Sequence, residues 1–369
     1  MFFIGPIKNF YGRFERPISS GSLILGFIFD AFTLKRVDTL FENIWILAHL
    51  VIVAVFIILI HTEKSEVNDE KNPSKKHFWY VNILQFFFGG LFSTYLVLYF
   101  KSADFFSTWP FILLLAVAFI ANESMKRHYI QLSFQIGLFF LSIYSFTIFL
   151  VPVVLHKISA WIFLFSGLVS LALILLFIRI LFHFIKDPLD QPERGLPSLK
   201  TRIFYLISGI FILFNFLYFT NLIPPIPLSL KDAGVYHSVG KNRFGNYVAT
   251  YENQGWLRYF KLYPNFKITT GQPVYVFSAV FSPSDFNITV VHEWQHYDET
   301  KDKWITESMI NLPLVGGRDE GFRTYSARKN LESGKWKVKV KTKSNQVIGQ
   351  TRFNIVPVET EAILKTMEL

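Results

Sequence analysis

A run of about twenty mostly apolar residues is long enough to cross the hydrocarbon core of a bilayer as a helix. In this chain such runs recur through the first 225 residues and are absent after them. Seven are read: residues 18–34, 44–61, 78–100, 105–122, 129–154, 160–185 and 203–222. The first is the weakest, being short and carrying Asp30, and the sixth is long enough to tilt. The expected fold class is therefore an α-helical polytopic membrane domain of about seven helices (1–225), followed by an all-β, immunoglobulin-like sandwich domain (226–369).

Composition agrees with this division. Half of the residues are hydrophobic (51%) and only 17% are charged, which does not fit a soluble enzyme of 369 residues. The absence of cysteine excludes a disulfide scaffold and any thiolate zinc or iron–sulfur centre. A cleaved signal peptide is the competing reading of the first span, but Asp30, Phe32, Lys35 and Arg36 follow it in place of a small-residue cleavage site. The preceding MFFIGPIKNFYGRFER mixes aromatic residues with Lys8, Arg13 and Arg16 and is expected at the membrane surface.

Cytoplasmic loops retain positive charge, and alternate loops of this chain differ in it. One side carries thirteen cations, from Lys8, Arg13 and Arg16 through Lys64–Lys76, Lys126 and Arg127 to Lys186–Arg202. The other carries four: Lys35, Arg36, Lys101 and Lys157. The N-terminus is therefore expected in the cytoplasm and the C-terminal domain outside it, which in a bacterium means the inner membrane and the periplasm. Most of the net charge of +10 then reflects topology. Nucleic acid is not an expected partner.

Ionisable groups within a bilayer are costly and by default mark function. Asp30 is read as the one well inside a span, with pairing to Arg36 as its structural alternative. Asn82, Gln85, Gln131, Gln135 and Asn215 are explained by hydrogen bonds between helices. Neither an inverted repeat nor a pair of broken helices points to transport.

Beyond Pro224, Pro225 and Pro227 the pattern changes to period two. Strands are expected at 247–253, 273–281, 287–297, 304–310, 322–328, 335–342 and 346–356, the last two joined as a hairpin through KTKSNQ. HEWQH at 292–296 has the spacing of a helical zinc site, in which two imidazoles one turn apart share a metal. Its flanks alternate as a strand, where His292 and His296 would stand about 13 Å apart. No metal, no cofactor and no catalytic activity are expected. The sequon at Asn287 has meaning only in a eukaryotic secretory pathway.

VVHEWQHYD, VGGR, GFRTYSARKN and GKWKVKVKTKSNQVIGQTRFNIV together resemble an uncharacterised bacterial family, a domain of unknown function that occurs alone or after membrane helices. The resemblance covers roughly 270–357 and rests on His292, Trp294, Gly316, Gly317, Arg323, Thr324, Tyr325, Ser326, Gly334, Trp336 and Gly349. GFIFDAFTLKRVD near the N-terminus resembles the membrane part of longer members. His296 and the DETKDK turn depart from the pattern, which weakens the metal reading further. The resemblance implies no activity.

Two surfaces are candidates for recognition. His292, Trp294, Arg323 and Tyr325 would suit a sugar or carboxylate if they shared one sheet face, although Trp294 and Trp336 are as readily core. Lys335, Lys337, Lys339 and Lys341 form a ladder that would meet anionic envelope polymers or lipid headgroups, or else guard a solvated edge strand. The functional expectation is a binding or assembly module, an accessory subunit of a membrane complex, with a protein or an anionic envelope polymer as partner. A transporter or sensor with a gating outer domain is the alternative, and a zinc hydrolase through HEWQH the last.

Overall fold

The computed structural model describes residues 25–32, 34, 40–66, 75–102, 105–124, 131–185, 197–223, 225, 228–252, 261–282, 288–314, 322–360 and 362–369. The N-terminal surface segment, the first part of the first span, Lys35, Arg36, Gly316, Gly317, the last three residues of the SPSD turn and the GGRDEG turn lie outside them. The chain divides into two compact units: Met1–Lys101 with Trp109–Leu222, and Ile223–Leu369 with Ser102–Thr108.

The first unit is helical: α1 (residues 25–32), α2 (Leu40–Glu66), α3 (Lys75–Ser102), α4 (Phe105–Ser124), α5 (Leu132–Leu155), α6 (Ala160–Phe184) and α7 (Leu199–Phe219). Five of these helices are long and apolar enough to cross a membrane, within α2, α3, α5, α6 and α7; the apolar stretch of α4, Thr108–Asn122, is shorter. α5 packs against α2, α6 and α7 and is 72% buried, whereas α6 and α7 are 33% and 28% buried and present Trp161, Leu168, Phe204 and Phe216 outward. Ser159 and Ser198 cap α6 and α7 by accepting from the amides of Ile162 and Thr201.

Aromatic rings pack the interior of this unit. Tyr144 stacks on Phe214 at 4.5 Å, and its hydroxyl accepts from Asn215 Nδ2 at 3.2 Å. Gly167 makes room for it, because a Cβ there would stand 2.8 Å from the Tyr144 hydroxyl. Polar side chains pair between helices: Gln85 with Asn122 through two bonds of 3.0 and 3.1 Å, and Gln135 with His61 at 3.0 Å. Asp30 accepts from Ser93 Oγ at 2.5 Å. The expectation that Asp30 is the one ionisable group well inside a span is corrected, since His49 is buried in α2, with His61 buried toward the end of the same apolar run. Single histidines in an otherwise apolar run are easily passed over.

The second unit is β-rich, with eleven strands among the described residues: β1 (Ser229–Tyr236), β2 (Ser238–Lys241), β3 (Tyr247–Glu252), β4 (Asn265–Ile268), β5 (Val274–Phe281), β6 (Ile288–Asp298), β7 (Lys303–Leu314), β8 (Phe322–Arg328), β9 (Gly334–Thr342), β10 (Val347–Pro357) and β11 (Leu364–Glu368). They form three sheets, ordered β1-β5-β8, β4-β10-β9-β6-β7 and β11-β3-β2. All seven expected strands are present, and β1, β2, β4 and β11 are additional. A third small sheet and a parallel β4–β10 pair also go beyond the antiparallel two-layer arrangement expected.

Strand β5, at the centre of the β1-β5-β8 sheet, is buried on both faces. Val235, Val274 and Val276 join Trp294, Trp336, Val338, Phe353 and Ile355 of the five-stranded sheet in one core. Tyr236, Phe277 and Ala279 join Val239 and Ala249 of the third sheet in another. A strand buried on both faces has no reason to alternate, and β5 accordingly reads VYVFSAVF, apolar nearly throughout. Gly349, at a bulge in β10, admits Leu230 of β1: a Cβ there would lie 2.3 Å from Leu230 Cδ2 and 3.1 Å from its Cβ.

Candidate functional site

Strand β6 sends alternate side chains to opposite faces, so HEWQH is split. His292 and Trp294 are wholly buried in the core of the β unit, and neither lines a surface. Ser326 Oγ of β8 accepts from Trp294 Nε1 at 3.0 Å and is hydrogen-bonded to His292 Nδ1 at 2.8 Å. Its other ring nitrogen, Nε2, is hydrogen-bonded to Ser278 Oγ of β5, also at 2.8 Å. Burial holds His292 down at about 4, so it is neutral at pH 7. This knot ties β5, β6 and β8 together across the two larger sheets and involves three of the positions on which the family resemblance rests.

His296 engages different partners. It bonds the Ser333 carbonyl at 3.2 Å and stacks on Trp336 at 4.7 Å, while Trp336 Nε1 donates to the Glu332 carbonyl. The motif therefore lies in extended strand, as its flanks imply. Arg323 and Tyr325 alternate with Thr324 and Ser326 and fall on the opposite face of β8 from the knot, where Tyr325 packs with Tyr247 and Tyr275. The four residues proposed as one ligand surface therefore do not share one.

The lysine ladder is where the structure departs most from the plain expectation. β9 lies between β10 and β6, so Lys335, Lys337, Lys339 and Lys341 run down the middle of a five-stranded sheet and do not guard an edge. The register places rows of residues across the outer face. Lys335 stands opposite Asn354, Lys337 between Gln295 and Arg352, Lys339 between Glu293 and Gln350, and Lys341 between Val291 and Val347. Trp304 and Tyr297 face each other at the β6–β7 end.

These groups make two neighbouring clusters. In the first, Glu293 forms an ion pair with Lys341 and accepts from Thr306 Oγ1 at 2.8 Å and Gln295 Nε2 at 3.0 Å. Lys341 also donates to Asn345 Oδ1 in the β9–β10 turn at 2.8 Å. Burial alone would raise the Glu293 carboxyl, but the bonds from Lys341 and Thr306 and the nearby lysine charges outweigh it and hold it below its usual value. In the second, Lys337 Nζ sits 4.0 Å from the Trp304 ring centre, Lys335 lies 5.4 Å from that of Tyr297, and Arg352 lies 5.9 Å from that of Tyr263. Tyr263 stacks in turn on Trp304. Burial, with Lys339 and Arg352 nearby, presses the Lys337 amine down to about 8.

Arg352, Trp304 and Tyr263 escaped the sequence reading, and Glu293 entered it only as part of HEWQH. Their only signal is cross-strand register between segments far apart in the chain, which a single sequence does not display. Among the described residues, no three His, Asp or Glu side chains are grouped to hold a metal ion.

Residues 287–355, which span β6 to β10, match the model of a family described only as a protein of unknown function (DUF2914). No curated protein matches the chain. Among solved structures, a β-glucosidase from Listeria innocua is similar at 13% identity over 26% of this chain, with a TM-score of 0.19, and the chain spans 15% of that enzyme. The alkylpurine DNA glycosylase AlkC of Pseudomonas fluorescens, bound to DNA containing an abasic site analogue, is similar at 10% identity over 87% of this chain and 99% of that one, with a TM-score of 0.20. Likenesses at these TM-scores carry nothing on fold or activity.

Proposed function

We propose that this protein is a multi-pass bacterial inner-membrane protein that displays its β unit in the periplasm as a recognition module. In this reading seven helices span the membrane, the N-terminus is cytoplasmic, and the two larger sheets form the immunoglobulin-like sandwich with a third sheet added. The outer face of the five-stranded sheet is the recognition surface, and its partner is an acidic protein of a membrane complex or an anionic envelope polymer. One observation carries the assignment: the lysine ladder occupies a central strand, where edge protection explains nothing, and is backed by Trp304, Tyr297 and Tyr263.

The test is affinity capture with the full chain from gently solubilised membranes, wild type beside the Lys335→Glu/Lys337→Glu variant. Loss of the stoichiometric partner in the variant, with unchanged thermal stability, is expected. An identical captured set in both would refute the assigned face.

A second reading, transport or sensing, draws on the part-buried Asp30–Ser93 pair and the buried His61–Gln135 pair of the helical unit. Under it, Asp30→Asn inserts normally and loses function. Under the structural reading, insertion or assembly itself suffers.

A further inference from the structure

We infer that Asp30, His49 and Ser93 form a proton-binding site within the helical unit, where the Asp30 carboxylate and His49 Nε2 share one proton. The inference stands apart from the recognition face of the β unit and rests only on the membrane reading of the helices. Three helices supply the groups: Asp30 lies on α1, His49 on α2 and Ser93 on α3. His49 and Ser93 fall well inside the apolar spans Leu40–Thr62 and Trp79–Phe100. On α1, Phe27, Asp30 and Ala31 are partly buried, whereas Leu25, Ile28, Phe29 and Phe32 are exposed. Phe27 packs on Phe119 of α4. An acid therefore sits in the stripe by which α1 meets its neighbours, where an apolar residue is the default.

The hydrogen bonds leave this cluster short of one proton. Asp30 Oδ2 accepts from Ser93 Oγ at 2.5 Å, and among the described residues its second oxygen meets no donor. His49 Nδ1 donates to the Trp45 carbonyl at 2.9 Å, which places the hydrogen of the neutral ring on Nδ1. Nε2 then carries a lone pair that also meets no donor among the described residues. The ring is 8% exposed and is walled by Trp45 at 4.8 Å, by Phe87 at 5.0 Å and by α3 at Gly90, where a Cβ would stand 3.4 Å from Nε2. Asp30 and His49 act on each other electrostatically, and among the described residues no other charged group acts on either.

A carboxylate oxygen and an imidazole lone pair are both acceptors, so what satisfies the two at once must bring hydrogen or positive charge. A bridging water would fill both and still leave a full negative charge in the bilayer. One proton fills both and makes the pair neutral overall, whether it rests on the carboxyl or makes the ring an imidazolium beside the carboxylate. Removing that proton, or adding a second, leaves a net charge in a low dielectric. The two groups therefore titrate as one unit, and the proton belongs to the pair. Ser93 keeps its bond in both forms, because Oδ2 remains an acceptor in each.

The experiment uses the full chain in phosphatidylcholine nanodiscs between pH 5 and pH 9. A hydrophobic carbodiimide, which adds to the protonated carboxyl, reports Asp30, and diethyl pyrocarbonate, which adds to the imidazole lone pair, reports His49. Both adducts are read by mass spectrometry, with exposed His156 as internal reference. As the pH rises, loss of Asp30 labelling and gain of His49 labelling are expected to share one midpoint. Asp30→Asn is expected to displace the His49 midpoint, and His49→Gln the Asp30 midpoint, by about one pH unit, a tenfold change in proton affinity. Ser93→Ala keeps both titrating groups and is expected to displace the shared midpoint, so it serves where Asp30→Asn fails to insert.

Two unrelated midpoints, or midpoints that substitution of the partner leaves in place, overturn the site. So does an Asp30 that stays unlabelled at pH 5. Replacing choline by sodium at fixed pH tests the rival occupant: Asp30 labelling is expected to be unchanged, and its suppression by sodium assigns the site to a metal cation and overturns the proton. A chain that does not enter nanodiscs refutes the membrane reading itself. If the midpoints are independent while partner capture still depends on Lys335 and Lys337, the recognition reading stands and only the proton site falls.

Discussion

Acidification from pH 7 to pH 5 should loosen the β unit through one buried imidazole. The native state holds His292 down at about 4, against an ordinary value of 6.5, because burial penalises the charged form. Between those values an opened chain takes up a proton that the native chain refuses. The stability this provides is therefore fully present above about pH 6.5, falls as the pH drops, and is gone below about pH 4. The gap corresponds to roughly 3 kcal/mol in all, at 1.36 kcal/mol per unit, of which about 2 kcal/mol is lost by pH 5. Hydrogen exchange of peptides from β5, β6 and β8, measured on the full chain in nanodiscs and corrected for intrinsic rates, reads this directly as an opening constant. About a twentyfold increase is expected between pH 7 and pH 5 in the wild type. His292→Gln keeps a polar group at each end and does not titrate, so its profile should stay nearly flat relative to the wild type. Glu293 enters only at lower pH, because its carboxyl lies below its usual range. Superimposable profiles for the two proteins over this window would sink the account of His292 as a buried, neutral knot.

Ser326→Ala removes the hydroxyl that satisfies both His292 and Trp294, leaving two buried polar atoms unmet, and should cost about 2–4 kcal/mol by chemical denaturation. Lys341→Met strands the Glu293 carboxylate in a buried setting and should cost about 3–5 kcal/mol, most of it recovered in the Lys341→Met/Glu293→Leu double variant. Failure of the double variant to recover would place the loss in packing. Gly349→Ala drives a methyl into Leu230 and should lower stability by about 1–3 kcal/mol, with relief when Leu230→Ala is added. Because the chain has no cysteine, single substitutions report topology cleanly: Lys157→Cys and Phe244→Cys should react with an impermeant maleimide in spheroplasts, and Lys200→Cys only after lysis. Labelling of Lys200→Cys from outside would invert the proposed orientation.

The lesson for sequence reading differs between the two units. Long apolar helices were legible because a span is a local property: twenty residues of α6 carry their own signature whatever surrounds them. The same holds for β9, whose alternation of lysine with Trp336, Val338 and Val340 states by itself that one face is buried and the other is not. It holds less well for β1, where Lys231 and Asp232 sit at a bulge and break the alternation. β2, β4 and β11 are too short, at four, four and five residues, to show a period.

The candidate site was half legible for a related reason. The lysines were found because they lie on one strand. Arg352, Glu293 and Trp304 were not, because they reach the same face from three other strands. The His292, Trp294, Arg323 and Tyr325 set was misjudged by the same logic, since residues grouped as one surface belong to two strands whose faces only the pairing reveals.

What the sequence determined by itself is whatever is encoded in neighbours along the chain: where apolar runs fall, which residues alternate, where positive charge accumulates between spans. What only the tertiary structure decided is whether β9 is an edge or a centre, and which side chains meet across the sheet. That difference removes edge protection as the explanation of the lysines, and it lies in strand order, a relation between residues far apart that no local period encodes.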